Sequence, residues 1–140
     1  MIRAVIDTNG LVGSMTKQGP TRWLYDEFIE GRFVWVFGNE ILTEYVEVIA
    51  DRYTSRLADL MAQTLLLAEN TERFEASYRW GIVYQDPDDN KFVDCAAGAG
   101  VDYLVTSDRH MLGLKRQKKL FPSVPIVNFE QFRRILLTKI

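Results

Sequence analysis

The chain has 140 residues, 47% of them hydrophobic, with 17 basic against 19 acidic side chains and a formal charge of −2. That length supports one ordinary hydrophobic core without disulfide staples, and the near balance of charge excludes nucleic-acid binding driven by bulk positive charge. The one cysteine, Cys95, has no intramolecular partner and reads as a small buried hydrophobe among alanines, and no apolar run approaches a membrane span or a secretory leader, so a cytoplasmic protein with no membrane association is expected.

Residues 3–6 (Arg3, Ala4, Val5, Ile6) form a short apolar run that ends in Asp7 and then Thr8-Asn9-Gly10, a buried strand delivering a polar turn. Past Pro20, Thr21 is placed to cap a helix whose apolar face is Trp23, Leu24, Phe28 and Ile29, and Gly31 ends it. Residues 33–37 (Phe33, Val34, Trp35, Val36, Phe37) are apolar throughout, which suits a sheet covered on both faces. After Gly38-Asn39, the residues Ile41, Leu42, Tyr45, Val48 and Ile49 keep helical spacing, and Glu44 falls among them. A second helical pattern over 55–70 (Leu57, Leu60, Met61, Thr64, Leu65, Leu67, Ala68) precedes a short strand near 71–74. The segment 75–84, with Tyr78, Trp80, Ile82, Val83 and Tyr84, is either a strand or an irregular connection.

It leads into Asp86-Pro87-Asp88-Asp89-Asn90, four oxygen-bearing side chains set directly before a helical run over 90–100 (Phe92, Val93, Ala96, Ala97). An acid at a helix start is stabilised by the free N–H groups there, so Asp88 or Asp89 serves as a cap, a ligand, or one of each. Asp94 falls one turn further on, behind the site or at the surface. The buried run Tyr103-Leu104-Val105 exits through Thr106-Ser107 to Asp108 as the first strand exits to Asp7. Residues 112–120 are basic and helical or looped, 124–127 form a last strand between prolines, and Asn128 caps a terminal helix with Phe132, Ile135 and Leu136 inward. Short apolar strands alternating with helices imply an α/β protein, a parallel sheet with helices on both faces, whose ligands bind at the carboxyl ends of the strands.

If the strands ending at Asp7 and Asp108 are neighbours, those two carboxylates converge, the helix at Asp89 faces the same crevice, and Glu44 joins them from an otherwise core-facing helix. Like charges so close require shared protons or a cation. Within these segments the only basic residues are Arg3, Lys91 and Arg109, so a metal is the simpler compensation, and an oxygen-only ligand set selects Mg²⁺ or Mn²⁺. Carboxylate-held hard cations suit phosphate-ester hydrolysis by an activated water. No serine elbow, Walker loop or HExxH is present, and the single histidine, His110, reads as a polar residue near the site mouth.

The stretches Val5-Ile6-Asp7-Thr8-Asn9 with Ser14, Glu40 to Tyr45, Asp86 to Phe92 and Tyr103 to Asp108, four motifs in order, make the chain resemble a PIN domain over residues 1–137. This is the Mg²⁺-dependent ribonuclease fold of VapC-like toxins. The resemblance implies a single PIN domain over 1–140, a three-layer α/β/α sandwich with a central parallel sheet of about five strands. It implies a Mg²⁺- or Mn²⁺-dependent endoribonuclease, the toxin of a toxin–antitoxin pair, with an RNA substrate, a cognate antitoxin protein and a homodimer as partners. Asp7, Glu44, Asp89 and Asp108 become its metal-binding and catalytic acids, Asp88 and Asp86 competing with Asp89, while Asn9, Thr106 and Asn90 become supporting polar groups. Where relatives often carry a further acid two residues after the last aspartate, this chain has His110, which puts a second ion in doubt.

Lys115, Arg116, Lys118 and Lys119 are either RNA-phosphate contacts or a solvated helix face, and Trp23, Trp35 and Trp80 are expected to pack in the core rather than stack on bases. Two other functions compete. A PIN-like RNA- or protein-binding module would keep the acids yet cleave weakly or not at all. An aspartyl-phosphate phosphatase would want an aspartate where Asn9 stands.

Overall fold

The computed structural model describes residues 1–81, 83, 87–114 and 124–138. In chain order it contains β1 (Arg3–Ile6), α1 (Thr8–Val12), α2 (Arg22–Ile29), β2 (Val34–Phe37), α3 (Asn39–Arg52), α4 (Ser55–Leu67) and β3 (Thr71–Arg73). A 3₁₀ turn (Pro87–Asp89) then runs into α5 (Asn90–Ala99), followed by β4 (Tyr103–Val105), α6 (Arg109–Leu114), β5 (Ile126–Val127) and α7 (Phe129–Thr138). The strands form one sheet in the order β3-β2-β1-β4-β5, and every neighbouring pair is parallel.

Helices flank this sheet, and its central strands are the apolar runs of the sequence: Ala4, Val5, Ile6, Val36, Phe37, Leu104 and Val105 are fully buried. The chain builds outward from β1 through β2 to β3, then crosses back to lay β4 and β5 on the other side of β1. Strand order therefore reverses between β1 and β4, the position where α/β sheets open a crevice at the strands' carboxyl ends. Asp7 and Asp108 follow those two strands. The pairing condition on which their convergence depended is met, with Ile6 in register with Val105 and the Asp7 N–H donating to the Val105 carbonyl at 2.9 Å.

Around β2 the core is aromatic. Trp35 packs edge-on against Phe28 and Tyr45, and Phe33 stacks on Trp35 and meets Phe132 of α7. The Trp35 indole N–H donates to the Tyr45 hydroxyl at 3.3 Å, and that hydroxyl in turn donates to the Ile6 carbonyl, tying α3 to the end of β1.

Several local expectations change. Thr8-Asn9-Gly10 is the first turn of α1, with Asp7 in extended conformation at its N-cap, rather than a polar turn. Thr21 stands at the start of α2 but makes no side-chain cap; its hydroxyl donates instead to the Gly10 carbonyl at 2.7 Å, beside the Ser14 hydroxyl at 2.7 Å. Ile29, Leu60 and Leu67 fit the helical period yet are exposed, because among the described residues no element packs over those parts of α2 and α4. The segment 75–81 is an irregular connection, and Trp80 is not part of the core. Asn128 caps α7 as expected, its side chain accepting the Gln131 N–H at 2.7 Å while the Gln131 side chain accepts the Asn128 N–H. Among the described residues no helix is long and apolar enough to cross a membrane.

Gly10 shows why α1 can sit so close to the sheet. A Cβ there would overlap the Phe129 ring and come within 3.1 Å of Ile6 Cγ2. Gly10→Ala should therefore destabilise the protein by about 1–3 kcal/mol in urea unfolding. Phe129→Leu in the same chain should recover part of that loss, and a double variant no more stable than the single one would contradict this packing.

Candidate active site

Asp7 is delivered by the end of β1 and is only 6% exposed. Thr106, fully buried one residue beyond β4, donates its hydroxyl to Asp7 Oδ2 at 2.7 Å and accepts the Asp108 N–H at 2.9 Å, so one side chain holds both acids in relation. Asp108 is half-buried, and its Oδ1 accepts the N–H groups of His110 and Met111 at 2.8 and 3.1 Å, capping α6. His110 thus meets Asp108 through its backbone.

Glu44 reaches the same place from α3. The Thr8 hydroxyl donates to its Oε2, and the Lys91 ammonium of α5 lies 2.8 Å from its Oε1. Lys91 is 15% exposed at the side chain and also donates to the Asp88 carbonyl at 2.7 Å. The polar groups form one chain of contacts, Lys91 to Glu44 to Thr8 on one side, Asp7 to Thr106 to Asp108 on the other, joined through the Thr8 peptide. Thr8 and Lys91 are the two participants to which sequence reasoning assigned no role. The signals available were a hydroxyl directly after the strand-end acid and a lysine directly inside an acidic helix start.

Asp89 stands where the 3₁₀ turn becomes α5, in helical conformation, and its side chain makes no capping hydrogen bond. Asn90 has its side-chain oxygen committed to the Val83 N–H at 2.9 Å, and Asn9 is exposed on α1. Asp94 is not a surface residue: it is 3% exposed and accepts the Trp80 N–H at 3.0 Å, and burial holds its carboxyl above the usual range. Cys95 is buried as expected, and burial pushes its thiol up to about 12, so it remains protonated and inert. Asp86, Lys115, Arg116, Lys118 and Lys119 lie outside the described residues.

The electrostatics separate the acids. Burial pushes the Asp7 carboxyl from 3.8 up to about 6, and the fields of Glu44 and Asp108 add to the rise, while the Thr106 hydroxyl and the Thr8 N–H oppose it. Asp7 is therefore under-compensated by its own protein. Glu44 has a built-in counter-ion in Lys91, which replaces part of the compensation that a metal was expected to supply alone.

A family model described as PIN domain matches residues 3–110. The chain belongs to the PIN domain family. No curated protein matches it. Among solved structures it is similar to VapC20 of Mycobacterium tuberculosis, a sarcin–ricin loop cleaving toxin, with a TM-score of 0.58 at 11% identity over 79% of this chain and 94% of that one. It is also similar to VapBC2 from Rickettsia felis, solved bound to a DNA fragment from its promoter, with a TM-score of 0.59 at 14% identity over 91% of this chain and 98% of that one. At these identities the likeness is one of fold, and it matches the parallel α/β sheet of this PIN domain protein.

The raised Asp7 value sets a pH dependence. Because the folded carboxyl titrates near 6 and the unfolded one near 3.8, folding is favoured when Asp7 is protonated; this contribution is fully present below about 4 and is lost as pH rises through 6. At pH 7.5 without divalent ions, Asp7→Asn should be more stable than wild type by up to about 3 kcal/mol, a gain that shrinks to near zero at pH 4. Denaturant unfolding at the two pH values measures it, and an equal difference at both would refute the assignment.

Proposed function

We propose that this PIN domain protein is a metal-dependent endoribonuclease, the toxin of a toxin–antitoxin pair, in which Asp7, Glu44, Asp89 and Asp108 form the catalytic acid set. The observation that carries this reading is Asp7 itself, a buried carboxylate at the sheet's switch point, pushed up to about 6 beneath the fields of two further acids. Perturbed carboxylates in such a crevice mark functional sites.

The donor chemistry fits Mg²⁺ or Mn²⁺, since every candidate ligand is a carboxylate oxygen and the hydroxyls of Thr8 and Thr106 hold two of them in place. Among the described residues no three acids stand close enough to make a ready cage. A cation of the Mg²⁺ kind keeps several waters and takes one or two carboxylates directly. Such an ion would supply positive charge at the phosphate and acidify a water.

The chain's own residues do the rest. Thr106 orients Asp7 and positions the backbone of Asp108, the two acids that follow β1 and β4. Thr8 and Lys91 fix Glu44 and prevent a third uncompensated negative charge from repelling the substrate's phosphates. Lys115, Arg116, Lys118 and Lys119 follow the last acid closely enough in sequence to contact RNA phosphates. The cognate antitoxin, a second copy of the chain and a cytoplasmic setting belong to the same proposal, supported by the fold shared with VapC20 and with the VapBC2 complex.

Two measurements test it. Purified protein should cleave single-stranded RNA only with Mg²⁺ or Mn²⁺ present, and Asp7→Asn should lower the rate at least a hundredfold while circular dichroism stays unchanged; undiminished cleavage by that variant would sink the reading. Millimolar Mg²⁺ should also raise the melting temperature, by roughly 3 to 5 °C at tenfold excess over Kd, and Asp108→Asn should cut that gain.

A further inference from the structure

The connection between β3 and the 3₁₀ turn carries Tyr78-Arg79-Trp80, two aromatic residues with a cation between them. Tyr78 is 62% exposed and Trp80 is half-buried, and their rings meet edge to face with centroids 4.7 Å apart. Trp35 and Trp23, by contrast, pack against the core. An exposed Tyr78 ring forgoes much of the free energy its burial would bring, so its position needs another account.

The backbone beneath the pair is held firmly. The Glu75 carboxylate accepts the Asn39 N–H at the start of α3 at 2.9 and 3.1 Å, Arg79 pairs with Glu40 of α3 at 2.8 Å, and the Trp80 N–H is held by buried Asp94 of α5. These anchors lie one helical turn from the acid site: Glu40 precedes Glu44 by four residues on α3, and Asp94 follows Lys91 by three on α5. Residues so spaced stand about 5–6 Å apart at Cβ. The segment that carries the rings is therefore tied to the two helices that also carry Glu44 and Lys91.

From this arrangement we infer that Tyr78 and Trp80 form a stacking platform for an unpaired base of a single-stranded RNA, with Arg79 meeting an adjacent phosphate. The inference rests on the ribonuclease reading for its substrate class. Stacking asks only for exposed π-faces and tolerates any base. Arg79 supplies the complementary charge: its pair with Glu40 is exposed on both sides, 71% and 56%, and such pairs exchange readily for a phosphate. Glu75 is engaged by the Asn39 N–H and Asp94 by the Trp80 N–H, so each is partly offset before RNA arrives.

The test uses the full chain in EDTA, where cleavage is suppressed, titrated with a short fluorescein-labelled oligoadenylate. Single-stranded oligoadenylate should quench indole fluorescence. Trp80→Phe should abolish most of that quenching while anisotropy shows affinity within about threefold of wild type, the mark of a ring that stacks rather than one that props the fold. Tyr78→Ala, at an exposed position, and Trp80→Leu should each weaken binding about tenfold, and with Mg²⁺ should raise KM by a similar factor with kcat nearly unchanged. Wild-type binding without quenching, or affinity unmoved in both Tyr78→Ala and Trp80→Leu, would overturn the platform, as would loss in those variants of binding to a co-expressed protein partner but not to RNA. Cleavage with an unmoved KM would remove the platform and leave the ribonuclease reading intact, whereas quenching by oligoadenylate in a chain that cuts no RNA would do the reverse.

Discussion

One hydroxyl organises the centre of this protein. Thr106 sits at the end of β4 with no exposed surface, gives its proton to Asp7 and takes the backbone N–H of Asp108. Both acids therefore depend on the pairing of β1 with β4, because only that parallel ladder brings the residue after Ile6 beside the residue after Val105. Parallel ladders have evenly spaced bonds and a register that cannot slip by one residue without turning every side chain to the other face. The precision of the site is thus borrowed from the sheet, and the apolar strands that make the sheet rigid also bury Asp7.

Burial of a carboxylate has an electrostatic cost, and the acids meet it to different degrees. Asp7 is buried and pushed up to about 6, with two hydroxyl- or amide-type donors resisting the shift. Glu44 takes a lysine from the facing helix and a hydroxyl from α1. Asp108 stays half in solvent and spends one oxygen on the start of α6. A group left in this state works against stability at neutral pH and persists when something else favours it, and an incoming cation would find Asp7 the acid with most to gain. Lys91 offsets the negative charge that Glu44 would otherwise add beside Asp7.

The walls of the crevice come from α3 and α5, and the connection over 75–81 is stitched to both. Its bonds go to the first turn of α3 and to Asp94 of α5, leaving Tyr78 exposed and Trp80 half-buried. The same two helices therefore carry Glu44 and Asp94 and hold the connection that bears the aromatic pair.

The sequence by itself determined much of this. Fully apolar runs at 4–6, 34–37 and 103–105 could be satisfied only in a sheet covered on both sides, and carboxylates one residue after the first run and three after the last could lie only at their carboxyl ends. Asp7 and Asp108 were legible for that reason, and Glu44 because an acid on a core-facing helix needs a partner. Hydrophobic period could not distinguish Leu60, Leu67 and Ile29, which are exposed, from the buried residues beside them, since period reports which face a side chain takes and not whether anything packs there. Nor could it separate Trp80 from Trp35. The tertiary structure alone decided that Lys91 neutralises Glu44, that Thr106 joins two acids 101 residues apart in the chain, and that Asp94 is buried under the Trp80 amide. These are contacts between elements distant in sequence, and their distances are set by how helices and strands pack, a quantity that no local pattern of residues encodes.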